Sequence, residues 1–196
     1  MAEEKESREW APTEKHELLL WLLFPILLVG SHPSYAQAGT GQADAGVLAA
    51  ALKSLTHNEI VVVVGNANRG ISQDAVLPVL NAEGLEVPRE ALEQMKQRAG
   101  QPTIHNAPAS GDYIFITGAL RERIFDNGGW TRFHQMFPEA TALISMSAPG
   151  FYDDGAKAVV FITKSRGLTS AAGLLLLLEV SDREWKVSQS VVIVVS

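Results

Sequence analysis

The pattern of hydrophobic and polar positions in the last third of the chain predicts four β-strands in succession. Strand side chains alternate between two faces, so apolar residues at every second position indicate a half-buried strand. Each break between the apolar segments carries residues that favour turns. The four predicted strands are residues 140–147, 156–163, 173–180 and 184–195, and the breaks contain Pro149 with Gly150, residues 153–155, the loop 167–173, and residues 181–183. This arrangement predicts an antiparallel meander.

The final strand defines the period most clearly. One face would carry Trp185, Val187, Val191, Ile193 and Val195, and the other face Lys186, Ser188 and Ser190. Beyond Ser190 the second face also becomes apolar, at Val192 and Val194, so we expect the sheet to be covered on both sides there. The apolar run 174–178 could form a helix, but its length and flanking turn residues favour a central strand.

Upstream of residue 139 the patterns favour helices. Helices are predicted at residues 43–55, 88–99, 120–125 and 130–137, strands at 60–64 and 112–117, and residues 71–80 are ambiguous because Pro78 interrupts them. The predicted fold class is therefore α+β, with N-terminal helices and a mainly antiparallel sheet that ends in a four-stranded C-terminal meander. A cystatin-like or NTF2-like (nuclear-transport-factor-like) cone would fit this description by shape.

The N-terminal segment has features of an export signal. Residues 18–29 are an apolar run of 12 residues, shorter than the roughly 20 that a membrane-spanning helix needs. Small residues follow, and cleavage after Ala36 or Ala38 is equally compatible with them. Residues 1–17 carry six Glu, whereas a secretory signal has a positive head.

Two alternatives account for the acidic head: a true start further along the chain, or an uncleaved anchor with an acidic tail. The apolar run 18–29 could also be a buried helix of the domain. The predicted organisation is a signal peptide with an atypical acidic head at residues 1–38, a linker at 39–46 and a single α+β domain at 47–196. The protein would then be exported, to the periplasm or outside the cell, and would touch a membrane only through the N-terminal segment if that segment is not cleaved.

Composition narrows the classes of function. The 196 residues carry a formal net charge of −6, and they show no cluster of Lys and Arg of the kind that nucleic-acid binding requires. Cysteine is absent, which excludes disulfides, thiolate nucleophiles and cysteine-ligated zinc. We therefore predict no nucleic-acid partner, no cofactor and no metal, and expect a protein or a small molecule as partner.

Several segments of the C-terminal half resemble a family of uncharacterised exported bacterial proteins. The resemblance extends over residues 112–196 and is carried by residues 120–125, 129–133, 137–138, 147–151, 158–160, 185–187 and Ser196. Ala148 and Pro149 stand where the family has Arg and Val, and Val194 stands where it has tryptophan. The loop 167–173 also lacks cysteines that some members carry. The resemblance implies no activity.

Several individual motifs that could indicate a functional site have simpler structural explanations. The segment 65–72 follows a predicted strand and has the glycine spacing of a phosphate loop, but Ile71 occupies the position of the required lysine, so a glycine-rich turn is predicted. Asp153 and Asp154 lack the spaced ligands of a calcium loop and predict a tight turn. Ser145 and Ser147 are interpreted as strand residues, and His134 as a surface or capping residue. Trp130, Phe133 and Phe137 are interpreted as a helix stripe that packs on the sheet, with a ligand-stacking platform as the alternative.

Two hypotheses of function remain. The first is a non-catalytic binding domain or a domain with a role in the cell envelope, because no complete catalytic set is present. The alternative is a hydrolase-like enzyme with a site near the 102–112 loop, in which His105 acts with Asp112 or with a loop serine. His57 and His134 have no metal-like spacing to other ligands.

Overall fold

The computed structural model describes residues 40–56, 58–66, 68, 71–101 and 112–195, and these form five helices and seven strands. The helices are α1 (Thr40–Leu55), α2 (Gln73–Ala82), α3 (Arg89–Gln97), α4 (Gly118–Asp126) and α5 (Gly129–Met136). The strands are β1 (Val61–Val64), β2 (Tyr113–Ile116), β3 (Ala142–Met146), β4 (Gly150–Tyr152), β5 (Lys157–Gly167), β6 (Ser170–Ser181) and β7 (Glu184–Val195). The α+β class predicted from the sequence is confirmed.

The seven strands form one mixed sheet in the order β2-β1-β3-β5-β6-β7, and β4 pairs with β5. Strand β1 is parallel to both of its neighbours, β2 and β3, whereas the pairs from β3 to β7 are antiparallel. The prediction of a mainly antiparallel sheet is therefore wrong in its first half. Helices connect β1 to β2 and β2 to β3, and such long crossovers allow neighbouring strands to run in the same direction.

The C-terminal meander is present as β3, β5, β6 and β7, with one additional strand. The short strand β4 begins at Gly150, where the sequence predicted only a turn, and pairs with β5 from Gly150↔Val159 to Tyr152↔Lys157. The predicted loop 167–173 is also shorter than expected, because β5 extends to Gly167 and β6 begins at Ser170. The run 174–178 lies in β6 between β5 and β7, as predicted.

The predicted alternation of β7 is interrupted. Register shifts occur opposite Leu177/Leu178 and opposite Gly173/Leu174, and each adds one residue to β7. Consequently Trp185 and Val187 pack on one face of the sheet, whereas Val191 and Ile193 pack on the other. The expectation that all of them share one face is wrong, because each β-bulge moves the following side chains to the opposite face.

Helix α1 covers one face of the sheet, and the other four helices cover the opposite face. Side chains of α1 pack with those of β1, β3, β5 and β6 in one buried cluster. On the opposite face α2 and α3 pack over β5 to β7, and α4 and α5 pack over β1 to β3. The predicted aromatic stripe belongs to this second layer: Phe133 is fully buried, and Trp130 and Phe137 are half-buried against it.

Helices α1 and α2 also differ from the sequence prediction. Helix α1 begins at Thr40, so its first turns occupy most of the predicted linker 39–46. Residues 73–82 are helical and include Pro78, which resolves the ambiguous segment as α2. Within the described ranges no helix is long and apolar enough to cross a membrane. The signal-peptide prediction falls on residues outside these ranges.

Candidate functional site

The parallel part of the sheet creates a crevice at the carboxyl ends of its strands. Strand β1 has a parallel neighbour on each side, and the chain leaves β1 between them. The N–H of Gly65 donates to the carbonyl oxygen of Ile116 on the β2 side (2.8 Å), whereas the N–H of Asn68 donates to Met146 on the β3 side (2.8 Å). The loop after β1 is therefore bonded to both neighbouring strands. Open α/β sheets bind ligands in this position, at the carboxyl ends of two neighbouring strands from which the chain continues in opposite directions along the sheet.

A cleft of about 750 Å³ lies at this point. Its walls come from the loop after β1, the turn after α3, the first turn of α4 and the end of β3, and they consist of Val64, Asn66, Asn68, Ala99, Gly100, Gly118, Ala119, Arg121, Glu122 and Ser145. Its volume is within the range of small-molecule sites, about 300 to 1,000 Å³.

Asn66 fixes the shape of the cleft. Its side-chain oxygen accepts a hydrogen bond from the N–H of Gly118 (3.0 Å), and its side-chain nitrogen donates to the carbonyl oxygen of Gly100 (3.3 Å). One residue thus ties the loop after β1 to the start of α4 and to the turn after α3. A Cβ at position 118 would lie 3.3 Å from the Asn66 Oδ1 atom, so glycine permits this close approach.

Asn68 and Ser145 form the opposite wall. The Asn68 side-chain nitrogen donates to the Ser145 carbonyl oxygen at 3.2 Å. The Ser145 hydroxyl lies 2.6 Å from the Thr163 hydroxyl of β5. The Ser145 hydroxyl also accepts a hydrogen bond from the Asn68 side-chain nitrogen at 3.5 Å. Because these partners are a hydroxyl and an amide and not a histidine or a carboxylate, the described contacts do not activate Ser145 as a nucleophile.

The rim of the cleft carries one charge of each sign. Arg121 and Glu122 follow one another in the first turns of α4, and both are exposed. The Arg121 guanidinium lies 5.6 Å from the centre of the Phe125 ring, a contact that orients the arginine along α4. The cleft is therefore mainly polar: it is lined by two ionic side chains and by amide, hydroxyl and backbone groups, together with the apolar Val64, Ala99 and Ala119.

A second, more open cavity of about 570 Å³ lies between α2 and the turn that joins β4 to β5. Its wall includes Leu77, Val87, Tyr152 and Lys157. Burial raises the pKa of the Tyr152 hydroxyl, although the Lys157 charge opposes this effect. This cavity lies at the surface between two elements and not at the carboxyl ends of parallel strands. We therefore regard the first cleft as the candidate site.

The described structure does not test the sequence-predicted catalytic residues as a pair, because it includes only one of them. His105 lies outside the described residues. Asp112 is exposed and precedes the amino end of β2, where its carbonyl oxygen accepts a hydrogen bond from Val61 (3.0 Å). The cleft lies beyond the carboxyl end of the same strand, on the order of 15 Å away along β2.

Of the other candidate residues, Ser147 is not on a strand as predicted, because β3 ends at Met146. His134 is exposed on α5 and its ring lies 5.8 Å from that of Trp130, so it is a surface residue. Ser147 is fully buried, and its hydroxyl accepts a hydrogen bond from the N–H of Phe161 (3.0 Å). Asp153 and Asp154 form a tight turn with positive φ angles of 55° and 53°. Among the described residues no group of three His, Asp or Glu side chains could hold a metal ion.

Sequence reasoning missed most of the cleft. The segment 65–72 was interpreted as a glycine-rich turn without further role, yet two of its residues, Asn66 and Asn68, line the cleft. Their position directly after a buried strand is a signal that could have indicated them. The parallel pairing that turns this signal into a site could not be derived, because β2 and β3 lie far along the chain.

The fold and the cleft together define the chain as an α+β domain with a polar crevice at the carboxyl ends of parallel strands. No protein-family model, no curated protein and no solved structure matches the chain.

Proposed function

We propose that this protein is a non-catalytic binding domain that holds a small polar molecule in the cleft between Asn66, Gly118 and Ser145. The observation that carries the proposal is the position of the loop after β1, which lies between the carboxyl ends of two parallel strands. At this position the structure has a crevice of ligand size. The interior is lined by amide, hydroxyl and backbone groups, which favours recognition by hydrogen bonds.

Binding is favoured over catalysis by the bonding of the polar groups. Asn66 and Asn68 are engaged in holding the walls, and the Ser145 hydroxyl contacts Thr163. Catalysis of hydrolysis requires a nucleophile within hydrogen-bond reach of a base, and the described lining residues do not provide such a pair. The alternative hydrolase site at His105 and Asp112 stays a prediction, and Asp112 lies at the far end of β2 from the cleft.

Export to the periplasm or to the outside of the cell is part of the same proposal. The 12-residue apolar run at residues 18–29 and the small residues that follow it support an export signal. The resemblance to exported bacterial proteins points in the same direction. Assignment of the fold to a cystatin-like or NTF2-like cone also stays a prediction.

Blocking the cleft tests the proposal. Ala119 is an exposed lining residue on α4, and Ala119→Trp would place an indole in the cleft without removing a wall contact. The matched control is Ala49→Trp, at an exposed position of α1 on the other face of the sheet. The probes are individual sugars, amino acids and dicarboxylates, each added to the purified protein and followed by thermal unfolding and isothermal titration calorimetry.

We expect at least one probe to raise the unfolding temperature of the unchanged protein and of Ala49→Trp, but not that of Ala119→Trp. A ligand at about 100 times its dissociation constant would add about 2.7 kcal/mol to the free energy of unfolding. Absence of binding by every probe, or binding that Ala119→Trp leaves unchanged, would contradict the proposal.

A further inference from the structure

Strand β7 has an outer edge that no strand of the described residues covers. It extends for 12 residues, Glu184–Val195, and pairs along one side with β6. Within the part of the chain that the structure describes, β7 is the last strand of the sheet, and no other strand pairs with its outer side. An open edge presents a row of backbone N–H and C=O groups that can bond to another strand.

The amino half of β7 carries charged residues that prevent pairing with another strand, whereas the carboxyl half does not. Charged residues occur at Glu184 and Lys186, and Lys186 also forms an ion pair with Asp182 in the preceding turn (2.9 Å). From Ser188 to Val195 the strand has neither a charge nor a proline. Charges, proline and short length are the means by which soluble proteins prevent strands from pairing at an open edge. The other edge strand, β2, is only four residues long.

The uncharged half of β7 exposes apolar side chains on both faces of the sheet. Val192 is 56% exposed and Val194 is 53% exposed. Val192 pairs with Leu174, which packs in the α1 cluster, whereas Val194 pairs with Gly173 beside the Phe161 ring of the opposite cluster. The apolar pattern predicts that both faces of the sheet are buried here by other parts of the protein. Among the described residues, none buries Val192 or Val194. A partner at this edge must therefore offer backbone pairing together with apolar side chains on both faces.

We infer that two copies of this chain pair through the carboxyl halves of their β7 strands, antiparallel across a two-fold axis. The same segment of a second copy satisfies each requirement, because it has an open edge, no charge and a valine on each face. Two identical edge strands related by a two-fold axis perpendicular to the sheet meet in antiparallel orientation, and such an interface is self-complementary. This arrangement also moves Glu184 and Lys186 of each copy away from the axis into solvent, so that no charge is buried.

The oligomeric state of the protein tests this inference independently of the cleft. We would express the full chain, determine the N-terminus of the purified protein, and measure its mass by sedimentation equilibrium over a wide range of concentrations. The expected mass is that of a dimer. Val192→Lys places like charges close together across the axis, and should raise the dimer dissociation constant at least about tenfold.

The matched control is Ile114→Lys on the opposite edge strand β2, where the side chain is 36% exposed. This variant should remain a dimer. Circular dichroism and thermal unfolding establish that both variants are folded, which we expect because each replaced side chain is partly in solvent.

A second measurement does not depend on disrupting the interface. The chain contains no cysteine, so Val192→Cys and Ile114→Cys each provide one thiol for a nitroxide spin label. Dipolar electron spin resonance should find a short distance between the labels of the two copies at position 192 and a much longer one at position 114. A monomer at all concentrations, an assembly larger than a dimer, a dimer that Val192→Lys leaves intact, or distant labels at position 192 would each overturn the inference.

Discussion

Gly150 shows how the absence of one side chain fixes the distance between a helix and the sheet. A Cβ at this position would lie 1.9 Å from the carbonyl oxygen of Ala91 and 2.7 Å from its carbonyl carbon, so α3 and β4 could not keep their spacing. We expect Gly150→Ala to lower the free energy of unfolding by about 1 to 3 kcal/mol, as overpacking of a core does. Urea unfolding measures this change.

The control for Gly150 is Gly167→Ala at the end of β5. No described atom lies within 4 Å of a Cβ built there. This substitution should change the free energy of unfolding by less than about 0.5 kcal/mol. Equal losses in both variants would show that α3 does not approach β4 as closely as described.

Glu59 provides a pH-dependent contribution to stability. Its two carboxylate oxygens contact Lys164 Nζ and Arg166 Nη2, each at 2.8 Å. The hydrogen bond from Lys164 is the main reason that the pKa of Glu59 is lowered, and Arg166 adds to the effect. A lowered pKa in the folded state means that the carboxylate stabilises the fold above its ordinary pKa, near 4.5, and that this contribution is lost as the pH falls through the folded-state value.

We therefore expect Glu59→Gln to lower the free energy of unfolding by up to about 1 kcal/mol at neutral pH, a value typical of partly exposed ion pairs. The difference from the unchanged protein should shrink as the pH falls below about 4.5. Urea unfolding at a series of pH values measures it. Glu83→Gln, at the exposed end of α2, is the control and should show a small difference at every pH. A difference for Glu59→Gln that grows in acid would contradict the assignment.

At the scale of elements, the contact between α1 and β7 depends on Trp185. Its ring lies 6.0 Å from that of Phe151, and a Cβ at Gly46 of α1 would lie 2.9 Å from its Cδ1 atom. Because the ring is half-buried, we expect Trp185→Ala to lower the free energy of unfolding by about 2 kcal/mol, roughly half the loss for a fully buried tryptophan. Leu168→Ala is the control, since Leu168 is 91% exposed in the turn between β5 and β6. A loss below about 0.5 kcal/mol for Trp185→Ala would mean that α1 does not pack on β7.

The element scale also shows why β7 was only partly predictable. Its limits follow from local signals, namely the turn at Asp182 and Arg183, both with positive φ, and the apolar run that follows. The positions of its two bulges cannot be derived from the alternation of apolar and polar residues in β7. They are set by the register with β6, and each one exchanges the faces of all residues beyond it. A strand can therefore be found from the sequence while its buried face cannot.

At the scale of the whole molecule, the N-terminal segment leads to a prediction about processing. Protein expressed in a bacterium from the full chain should have Gln37 or Gly39 as its first residue, because small residues at Ala36 and Ala38 fit the cleavage position of export signals. N-terminal sequencing measures this directly. Ala36→Leu combined with Ala38→Leu should leave the segment uncut. An intact Met1 on soluble cytoplasmic protein would contradict the prediction.

The sequence by itself determined most of the helices and strands, as well as the order of the C-terminal meander, but it left α2 ambiguous and did not indicate β4. These features depend on residues close together in the chain: the period of apolar positions, the helix ends and the residues that permit tight turns. The strands β5, β6 and β7 follow one another and are joined by short turns, so their antiparallel pairing could be derived from this local information.

Only the tertiary structure decided that β1 lies between β2 and β3 and runs parallel to both. Val61 pairs with Tyr113 on one side and with Ala142 on the other, and both are distant in sequence. Such pairings are selected by the total packing of helices against both faces of the sheet and not by any short segment. The cleft at Asn66 and Gly118 and the open edge of β7 both result from that strand order, which is why the sequence indicated neither of them.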